Sequence, residues 1–246
     1  MKQGLFTVQE QQALTKDIYL LKLAGDTSAQ QTPGQFVQIS VPGFFLRRPF
    51  SVADWDAESL TVIYRVVGQG TARLTQCGCR SQLDLLTGLG NGFDTAAAGD
   101  RPLLIGGGAG VAPLYGLARR LLEAGKTVVV ILGFNTAQDV YFSNKFRALG
   151  AEVLLSTMDG SLGIAGTVVD ALAQLRSHYS YFYACGPQPM LRAVAKVTGD
   201  APGEMSLEAR MGCGWGACMG CTVPTVDGWK RVCKDGPVLK KEELVW

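Results

Sequence analysis

The organisation of this chain is decided by "RMGCGWGACMGC", residues 210–221, which is followed by "KRVCKDGP", residues 230–237. Four of the seven cysteines of the chain lie here, with the spacing Cys-x4-Cys-x2-Cys-x11-Cys. Thiolates are soft ligands that suit iron–sulfur clusters or zinc, and the first two spacings, x4 and x2, are those that open plant-type [2Fe–2S] sites. The segment therefore predicts a [2Fe–2S] cluster held by Cys213, Cys218, Cys221 and Cys233.

Glycines lie next to and between these cysteines, among them Gly212, Gly214 and Gly216. Glycine adopts positive φ without penalty, so a loop of this composition can wrap a cluster with its N–H groups facing the sulfurs. A structural zinc site is the alternative, although zinc sites usually carry two Cys-x2–4-Cys pairs and the second half here has one cysteine. Cys233 also follows Cys221 much sooner than the last ligand does in plant-type ferredoxins, so the segment is not simply an appended plant ferredoxin.

The length and composition of the chain limit the number of domains and the classes of protein to which it can belong. With 246 residues, two domains and a small appendage are expected. A net charge of +2 without a basic run gives no indication of nucleic-acid binding. The N-terminus lacks the apolar core of a signal peptide, and no apolar run approaches the ~20 residues of a membrane span. We expect a cytoplasmic protein, whose clustered cysteines are ligands rather than disulfides.

The first region, residues 1–98, shows short strand patterns separated by turns. Three runs are rich in β-branched or aromatic residues and are bounded by Gly, Pro, Asp or Ser: Asp17–Leu23, Gly34–Val41 and Ser59–Val67. Their spacing predicts an antiparallel β-sandwich or β-barrel.

The second region, residues 99–203, alternates apolar runs with helical patterns. "TVVVILG", residues 127–133, is short and apolar, as buried parallel strands are. Leu114, Leu117 and Leu121 recur at helical spacing. This alternation predicts a doubly wound parallel sheet, an α/β domain. The remaining residues, 204–246, show little periodicity and predict a small module that the metal cluster stabilises.

A phosphate-binding pattern occurs in the first region, in "LRRPFSVAD", residues 46–54. Pro49 biases Arg48 toward an extended backbone, and arginine offers a planar fork to phosphate oxygens. Ser51 can hydrogen-bond the edge of a flavin ring, and the loop 68–71, Gly-Gln-Gly-Thr, can meet a diphosphate. Taken alone, the Arg-Pro-Phe-Ser stretch is equally compatible with an ordinary turn.

A nucleotide-binding pattern occurs in the second region, in "LLIGGGAGVAPLYGLARRLL", residues 103–122. A glycine-rich turn between a strand and a helix lets the backbone approach a pyrophosphate, and the N-terminus of the helix adds partial positive charge. The candidate glycines are Gly106, Gly107, Gly108 and Gly110. The run does not satisfy Gly-x-Gly-x-x-Gly, and no acidic residue ends the next strand, so the motif does not discriminate NAD from NADP. A glycine turn that merely packs a helix on a sheet is the alternative.

The order of these motifs resembles the ferredoxin–NADP reductase superfamily. Arg-Pro-x-Ser, Gly-x-Gly-Thr, Gly-Gly-Gly-x-Gly-x-Ala-Pro and Cys-Gly-Pro follow one another along the chain. In that superfamily a β-barrel binds FAD and an α/β domain binds NAD(P). The cysteine segment narrows the resemblance to the electron transfer subunits of class B dihydroorotate dehydrogenase, which carry FAD and a [2Fe–2S] cluster. The resemblance extends over essentially the whole chain.

The resemblance implies sites by residue. The FAD contacts would be Arg48, Pro49, Phe50, Ser51, Ile63, Tyr64, Arg65, Gly70 and Thr71. The nicotinamide nucleotide would meet the loop of Gly106, Gly107, Gly108 and Gly110 and the turn of Cys185, Gly186 and Pro187. No residue is assigned as catalytic, because the cofactors supply the chemistry, although Cys185 would lie near the nicotinamide.

The resemblance also implies a function and a partner. Electrons would pass from the FMN of a catalytic subunit that oxidises dihydroorotate, through the [2Fe–2S] cluster and FAD, to NAD⁺, in pyrimidine biosynthesis. The expected assembly is a heterotetramer with two of each subunit, and we expect Trp215 to lie near the partner surface. Two other hypotheses stay open: an FAD/[2Fe–2S] NAD(P)H diaphorase subunit of a sulfide dehydrogenase or hydrogenase, and a non-catalytic protein with structural zinc.

Overall fold

Six antiparallel strands close into a barrel in the first third of the chain, in a computed structural model that describes residues 1–246. Around the barrel the strands follow the order β1, β2, β5, β4, β3, β6. A short helix, α1 (Gln69–Leu74), follows β5. The strands are β1 (Lys2–Ala13), β2 (Ile18–Ala24), β3 (Phe36–Ile39), β4 (Arg48–Trp55), β5 (Ser59–Arg65) and β6 (Gln82–Leu89).

The three strand runs predicted from the sequence correspond to β2, β3 and β5. The strands β1, β4 and β6 were not predicted, and for the first two the reason is local. In β1 only Phe6 and Val8 of twelve residues are buried, so the apolar alternation is weak. β4 carries Pro49, which cannot donate to a strand ladder and therefore argues against a strand when it is considered locally. The interior of the barrel is filled by alternate residues such as Val37, Ile39 and Leu85.

A seven-stranded sheet with helices forms the second half of the molecule. Its strand order is β10, β9, β8, β7, β11, β12, β15, and all neighbours are parallel except β12 and β15. The strands are β7 (Pro102–Gly107), β8 (Val129–Phe134), β9 (Glu152–Thr157), β10 (Ile164–Ala165), β11 (Tyr181–Cys185), β12 (Gly203–Ser206) and β15 (Val238–Lys240). The helices are α2 (Val111–Glu123), α3 (Ser143–Leu149), α4 (Val168–Gln174) and α5 (Gln188–Val197).

Helices cover both faces of this sheet. Leu114 of α2 and Phe146 of α3 share one hydrophobic core with Leu104 of β7. Val168 of α4 and Leu191 of α5 belong to a second core on the opposite face. The doubly wound α/β domain predicted from the sequence is therefore confirmed.

The cysteine-rich region lies against both domains. A hairpin of β13 (Thr222–Thr225) and β14 (Gly228–Arg231) follows the third cysteine. Phe36 of the barrel shares a small apolar cluster with Cys221, Val232 and Cys233. β12 and β15 belong to the sheet of the second domain, so the predicted boundary between residues 203 and 204 lies inside a strand. The division into 1–98, 99–203 and 204–246 stays a proposal.

The barrel and the α/β domain meet where β4 lies across α2. The guanidinium of Arg119 contacts Oδ1 of Asp54 at 2.5 Å through Nη2 and at 3.0 Å through Nε. Gly116 permits the close approach, since a methyl group there would lie 2.7 Å from the Ala53 carbonyl oxygen. This contact fixes the domains side by side. No helix of the chain is long and apolar enough to cross a bilayer.

Candidate functional site

A cavity of about 510 Å³ opens on the outside of the barrel, facing the α/β domain. Eight of the nine residues predicted to contact FAD line it: Arg48, Pro49, Phe50, Ser51, Ile63, Tyr64, Arg65 and Thr71. The ninth, Gly70, lies behind Arg48. The neighbouring strands β4 and β5 present these residues together, which the separation of the two motifs in sequence does not reveal.

Gly70 and Arg48 are in direct contact in the wall of this cavity. A methyl group at Gly70 would lie 2.7 Å from Nε of Arg48, so glycine makes room for the guanidinium. The guanidinium carbon also lies 5.1 Å from the centre of the Phe44 ring, within cation–π range. Arg48 is thus held in a defined place, and a phosphate group fits its planar fork.

The hydroxyl of Thr71 holds the loop that precedes α1. It accepts hydrogen bonds from the backbone N–H groups of Val67 at 2.9 Å and Gly68 at 3.2 Å, and it donates to the Gly68 carbonyl oxygen at 3.0 Å. Its hydrogen-bonding capacity is therefore used within the loop. The structure supports a role for Thr71 in shaping this wall of the cavity.

A second cavity, of about 370 Å³, lies at the carboxyl edge of the parallel sheet. Of the predicted nucleotide residues, Gly107, Gly108 and Pro187 line it. Open α/β sheets bind ligands at this edge, at the point where the strand order reverses. Here β7 lies between β8 and β11, so the glycine turn is at that point.

Three other predicted glycines have packing neighbours instead of a cavity wall. A methyl group at Gly110 would lie 2.3 Å from the Cys185 carbonyl oxygen, and one at Gly106 would lie 3.0 Å from Leu114. At Gly186 it would lie 2.6 Å from the terminal carbon of Met190. These glycines allow the strand–turn–helix units to pack closely, and neither cavity reaches them.

The cavity of about 510 Å³, named the flavin-side cavity for the FAD contacts predicted in it, and that of about 370 Å³, named the nucleotide cavity, share a wall. Arg65, Gly107, Gly108, Ala109 and Pro187 line both of them. Cys185 lines the flavin-side cavity and is 3% exposed. Burial raises the pKa of its thiol to about 12, so the thiol is neutral at physiological pH. Because the two cavities share this wall, a ring bound in one cavity would meet a ring bound in the other there.

The four clustered cysteines form two pairs. The backbone N–H of Cys218 donates to the Cys213 sulfur at 3.4 Å, and that of Cys233 donates to the Cys221 sulfur at 3.4 Å. A [2Fe–2S] cluster divides its four thiolate ligands between two irons. The donor set of four cysteines in two pairs fits such a cluster.

Backbone donors surround the sulfur of Cys213. Burial opposes its ionisation, but hydrogen bonds from the N–H groups of Cys218, Trp215 and Ala217 outweigh that effect and lower the pKa to about 6. Gly214 and Gly216 make this turn possible with φ of 83° and 92°. Burial raises the pKa of Cys233 to about 12, and the neighbouring Cys221 thiol adds to the rise. The backbone N–H groups of the loop therefore stabilise a thiolate at Cys213.

Several residues of the two cavities were not predicted. Asn135 directly follows β8 and lines the nucleotide cavity, and the rule that ligands bind at the carboxyl ends of parallel strands could have found it. Asp17 and Ile18 of the barrel also reach that cavity, but no local pattern signals it. The segment Ser206–Met211, apart from Arg210, lines the flavin-side cavity because it leads from β12 into the cysteine loop.

Two family models match the chain. Residues 104–196 match a model described as the oxidoreductase NAD-binding domain. Residues 208–245 match a model described as the iron–sulfur cluster binding domain of dihydroorotate dehydrogenase B. The second match contains all four paired cysteines.

Curated relatives are named dihydroorotate dehydrogenase B (NAD(+)), electron transfer subunit. The protein from Geobacillus sp. (strain WCH70) is 42% identical and aligns with 100% of this chain and 99% of its own length. That from Geobacillus thermodenitrificans is 44% identical over 97% of each chain. That from Fusobacterium nucleatum is 39% identical over 94% of each.

Solved structures share the fold. An NADH-dependent reduced ferredoxin–NADP oxidoreductase, studied for flavin-based electron bifurcation, matches with a TM-score of 0.89 and 29% identity over 99% of this chain and 90% of its own. A ferredoxin–NADP⁺ reductase from Neisseria gonorrhoeae, with bound FAD and NADP, matches with a TM-score of 0.68 and 18% identity over 82% of this chain and 92% of its own. The second likeness concerns the fold alone.

Proposed function

The chain belongs to the family of dihydroorotate dehydrogenase B (NAD(+)) electron transfer subunits, and from this membership we propose that it carries electrons from a dihydroorotate-oxidising partner to NAD⁺. It is an oxidoreductase subunit that works with FAD, a [2Fe–2S] cluster and NAD. The reaction serves pyrimidine biosynthesis.

The observation that carries the proposal is the order of the three sites in space. The flavin-side cavity shares one wall with the nucleotide cavity, at Gly107–Ala109. The same cavity is also lined by Leu207–Ala209 and Met211, a segment that leads directly to Cys213. A flavin in this cavity would therefore lie between nicotinamide and cluster. When bound, the flavin exchanges two electrons with nicotinamide, and the cluster exchanges one at a time.

We assign the barrel residues to FAD. Arg48 would bind the diphosphate, and the hydroxyl of Ser51 would bind the ring edge, since both residues line the cavity. The other proposed contacts are Pro49, Phe50, Ile63, Tyr64, Arg65, Gly70 and Thr71. The phenol of Tyr64 stays protonated, because burial raises its pKa well above its usual range.

We assign Gly107, Gly108 and Pro187 to the nicotinamide nucleotide. Gly106, Gly110 and Gly186 would act indirectly, by allowing the turns to pack. Cys185 would present a neutral thiol next to the wall between the cavities. We assign Cys213, Cys218, Cys221 and Cys233 to the cluster, with one iron for each of the two pairs.

The partner that we propose is a catalytic subunit that carries FMN, in a heterotetramer with two of each chain. The name of the relatives, an electron transfer subunit, supports such a partner. We propose that the complex works in the cytoplasm, because all seven cysteines are free and thiolate ligands persist in a reducing compartment.

The first experiment is absorption and EPR spectroscopy of the anaerobically purified chain, before and after addition of NADH, with iron and acid-labile sulfide assayed in the same sample. We expect flavin bands, two irons per chain and a rhombic S = 1/2 signal on reduction. Addition of the catalytic partner should then give dihydroorotate-dependent reduction of NAD⁺, followed at 340 nm. A colourless, EPR-silent protein with one zinc per chain would refute the proposal.

Replacement of one cluster ligand separates the cofactors. In Cys218→Ser, a hard hydroxyl replaces a soft thiolate, so we expect loss of the iron and of the EPR signal. FAD and NADH–dye activity should be kept, because Cys218 lies outside the flavin-side cavity. Cys79→Ser is the control, since Cys79 is exposed and far along the chain from the cluster loop. Loss of FAD from Cys218→Ser with iron retained would show that the sites are misassigned.

A second candidate is an FAD/[2Fe–2S] NAD(P)H diaphorase subunit of another complex, of the sulfide dehydrogenase or hydrogenase type. The likeness to the reduced ferredoxin–NADP oxidoreductase, with a TM-score of 0.89, favours it as the runner-up. Co-purification decides between the two. A flavoprotein with dihydroorotate activity supports the first function, and a hydrogenase-like or glutamate synthase-like partner supports the second.

A further inference from the structure

Gln38 is a polar residue in a wholly buried place between the barrel and the cysteine loop. Its neighbours in β3, Val37 and Ile39, point into the barrel core. Because side chains alternate along a strand, Gln38 lies on the outer face with Phe36. Phe36 packs against Cys221 and Cys233, so the cysteine-rich module covers this face. Gln38 is 0% exposed as a result.

The amide of Gln38 contacts the loop between the first two cluster cysteines. A methyl group at Gly214 would lie 2.6 Å from both Nε2 and Oε1 of Gln38. Gly214, next to Cys213, is itself buried. The backbone of Gln38 pairs with Pro49 of the Arg-Pro-Phe-Ser segment. Gln38 therefore contacts both segments, the Arg-Pro-Phe-Ser strand through its backbone and the cluster loop through its side chain.

Neither polar atom of this amide has a hydrogen-bond partner in the protein, and no other buried amide of the chain lacks partners at both atoms. Leaving a buried donor or acceptor unpaired costs about 1–3 kcal/mol. Gln35, three residues earlier, shows the usual outcome: its Nε2 donates to Gly90 at 3.0 Å and its Oε1 accepts from Gln31 at 2.9 Å. A partner for Gln38 is thus expected from outside the polypeptide.

We propose that Gln38 is a positioning residue for the iron–sulfur centre, whose Nε2 donates a hydrogen bond to a sulfur of the bound cluster. This inference rests on the proposed function, because the four cysteines must hold a cluster. Sulfur acceptors are what the adjacent loop would present once loaded, and hydrogen bonds to sulfur help set the reduction potential of such clusters. A donor stabilises the added negative charge of the reduced cluster, so Gln38 raises the potential.

The test is an EPR-monitored redox titration of the full-length chain as wild type, Q38M, Q38E and Q35M, with iron, sulfide and FAD measured in each sample. Q38M keeps the length of the side chain without a donor, and Q38E replaces the donor by a carboxylate. We expect the cluster of Q38M to bind its electron about tenfold more weakly, which is about 59 mV to lower potential for a one-electron couple. Q38E should shift further, and Q35M should titrate as wild type.

An unchanged midpoint in Q38M with two irons per chain would overturn the inference. Wild-type protein without iron would instead refute the proposed function, so the two failures are distinguishable. A measurement on unsubstituted protein decides the matter if the variants do not fold. With glutamine side-chain amides labelled with ¹⁵N, we expect a ¹⁵N coupling to the reduced cluster in hyperfine spectra, and its absence at full iron content would also overturn the inference.

Discussion

The guanidinium of Arg48 lies against Gly70 and over the ring of Phe44, at the edge of the flavin-side cavity. The neighbouring Arg47 has a different role, since its Nη2 contacts the Asp84 carboxylate at 2.5 Å. The two adjacent arginines have different surroundings, because Arg48 begins β4 whereas Arg47 belongs to the loop before it. Arg48 can bind an anion, and the charge of Arg47 is already neutralised by Asp84.

Arg48→Ala should weaken FAD binding about 10- to 100-fold, because a hydrogen bond to a charged group contributes about 1.5–3 kcal/mol. The measurement is the dissociation constant of FAD, from recovery of flavin fluorescence on dilution. Arg47→Ala is the matched control and should retain FAD, since Arg47 does not line the cavity. Equal loss of FAD in both variants would argue against a specific role for Arg48.

Individual glycines show where sequence reasoning reaches its limit at this scale. The motif at residues 106–110 was found from the sequence, and its first and last glycines pack against Leu114 and the Cys185 carbonyl. Only Gly107 and Gly108 line the cavities. A glycine that admits a ligand and a glycine that admits a neighbouring backbone look identical in sequence, because both positions require the absence of a side chain.

At the scale of elements, the cysteine loop depends on backbone conformations that other residues rarely adopt. Gly214 has φ of 83°, and a methyl group there would lie 2.6 Å from the amide nitrogen and oxygen of Gln38. Gly43, in the loop before β4, has a similar φ of 87°, but a methyl group there would meet nothing within 4 Å. An alanine at Gly43 would therefore introduce backbone strain alone, whereas an alanine at Gly214 would introduce the same strain and a steric clash.

Gly214→Ala should lose most of its iron while it retains FAD, because the methyl group would displace either Gln38 or the loop that carries Cys213. Gly43→Ala should keep its iron and lose only about 1–2 kcal/mol of stability, the cost of a left-handed residue with a side chain. Iron content and urea unfolding of both variants are the measurements. If the two variants lost iron equally, backbone strain alone would explain the effect.

Element prediction succeeded where the pattern was local and strong. The helix with Leu114, Leu117 and Leu121 is α2, because a periodic apolar face is a local signal. β12 and β15 escaped prediction, since four- and three-residue strands carry almost no periodicity. They are strands because a sheet edge and an antiparallel partner were available to them.

At the scale of the whole molecule, the relative placement of the two domains depends on the contact of β4 with α2. Asp54 is the acceptor for two nitrogens of Arg119, which also donates to the Trp55 carbonyl oxygen at 3.1 Å. On its other side Arg119 reaches the exposed Glu123, four residues on in the same helix. One ion pair joins the domains, and the other lies within a helix.

Asp54→Ala should lower the free energy of unfolding by about 1–3 kcal/mol and slow hydride exchange with NADH, because it removes the carboxylate acceptor of Arg119 and leaves only the Trp55 carbonyl oxygen across the domain contact. Glu123→Ala should change the free energy of unfolding by less than about 0.5 kcal/mol, as exposed pairs at this spacing do. Urea unfolding and stopped-flow flavin reduction are the measurements. Equal effects of the two changes would contradict a specific interdomain role.

Trp215 is 48% exposed in the cluster loop, as an interface residue of a free subunit would be. Trp215→Ala should weaken binding to the catalytic partner at least tenfold with iron and FAD unchanged, since large aromatic anchors dominate interface energies. Trp229→Ala is the control, because this tryptophan is 72% exposed on the β13–β14 hairpin. Partner binding is measured by titration calorimetry, and unchanged affinity in Trp215→Ala would refute the role.

The sequence by itself predicted the ligand set of the cluster, and it determined the strand–turn–helix of the glycine motif and the class of both domains. These features are carried by residue types at fixed short spacings, and local chemistry suffices to interpret them. Only the tertiary structure decided that two cavities share the wall at Gly107–Ala109, that the cysteines divide into two pairs, and that Gln38 is buried without a partner. Such relations join segments far apart in the chain. They arise from how strands and domains pack, which no local spacing encodes.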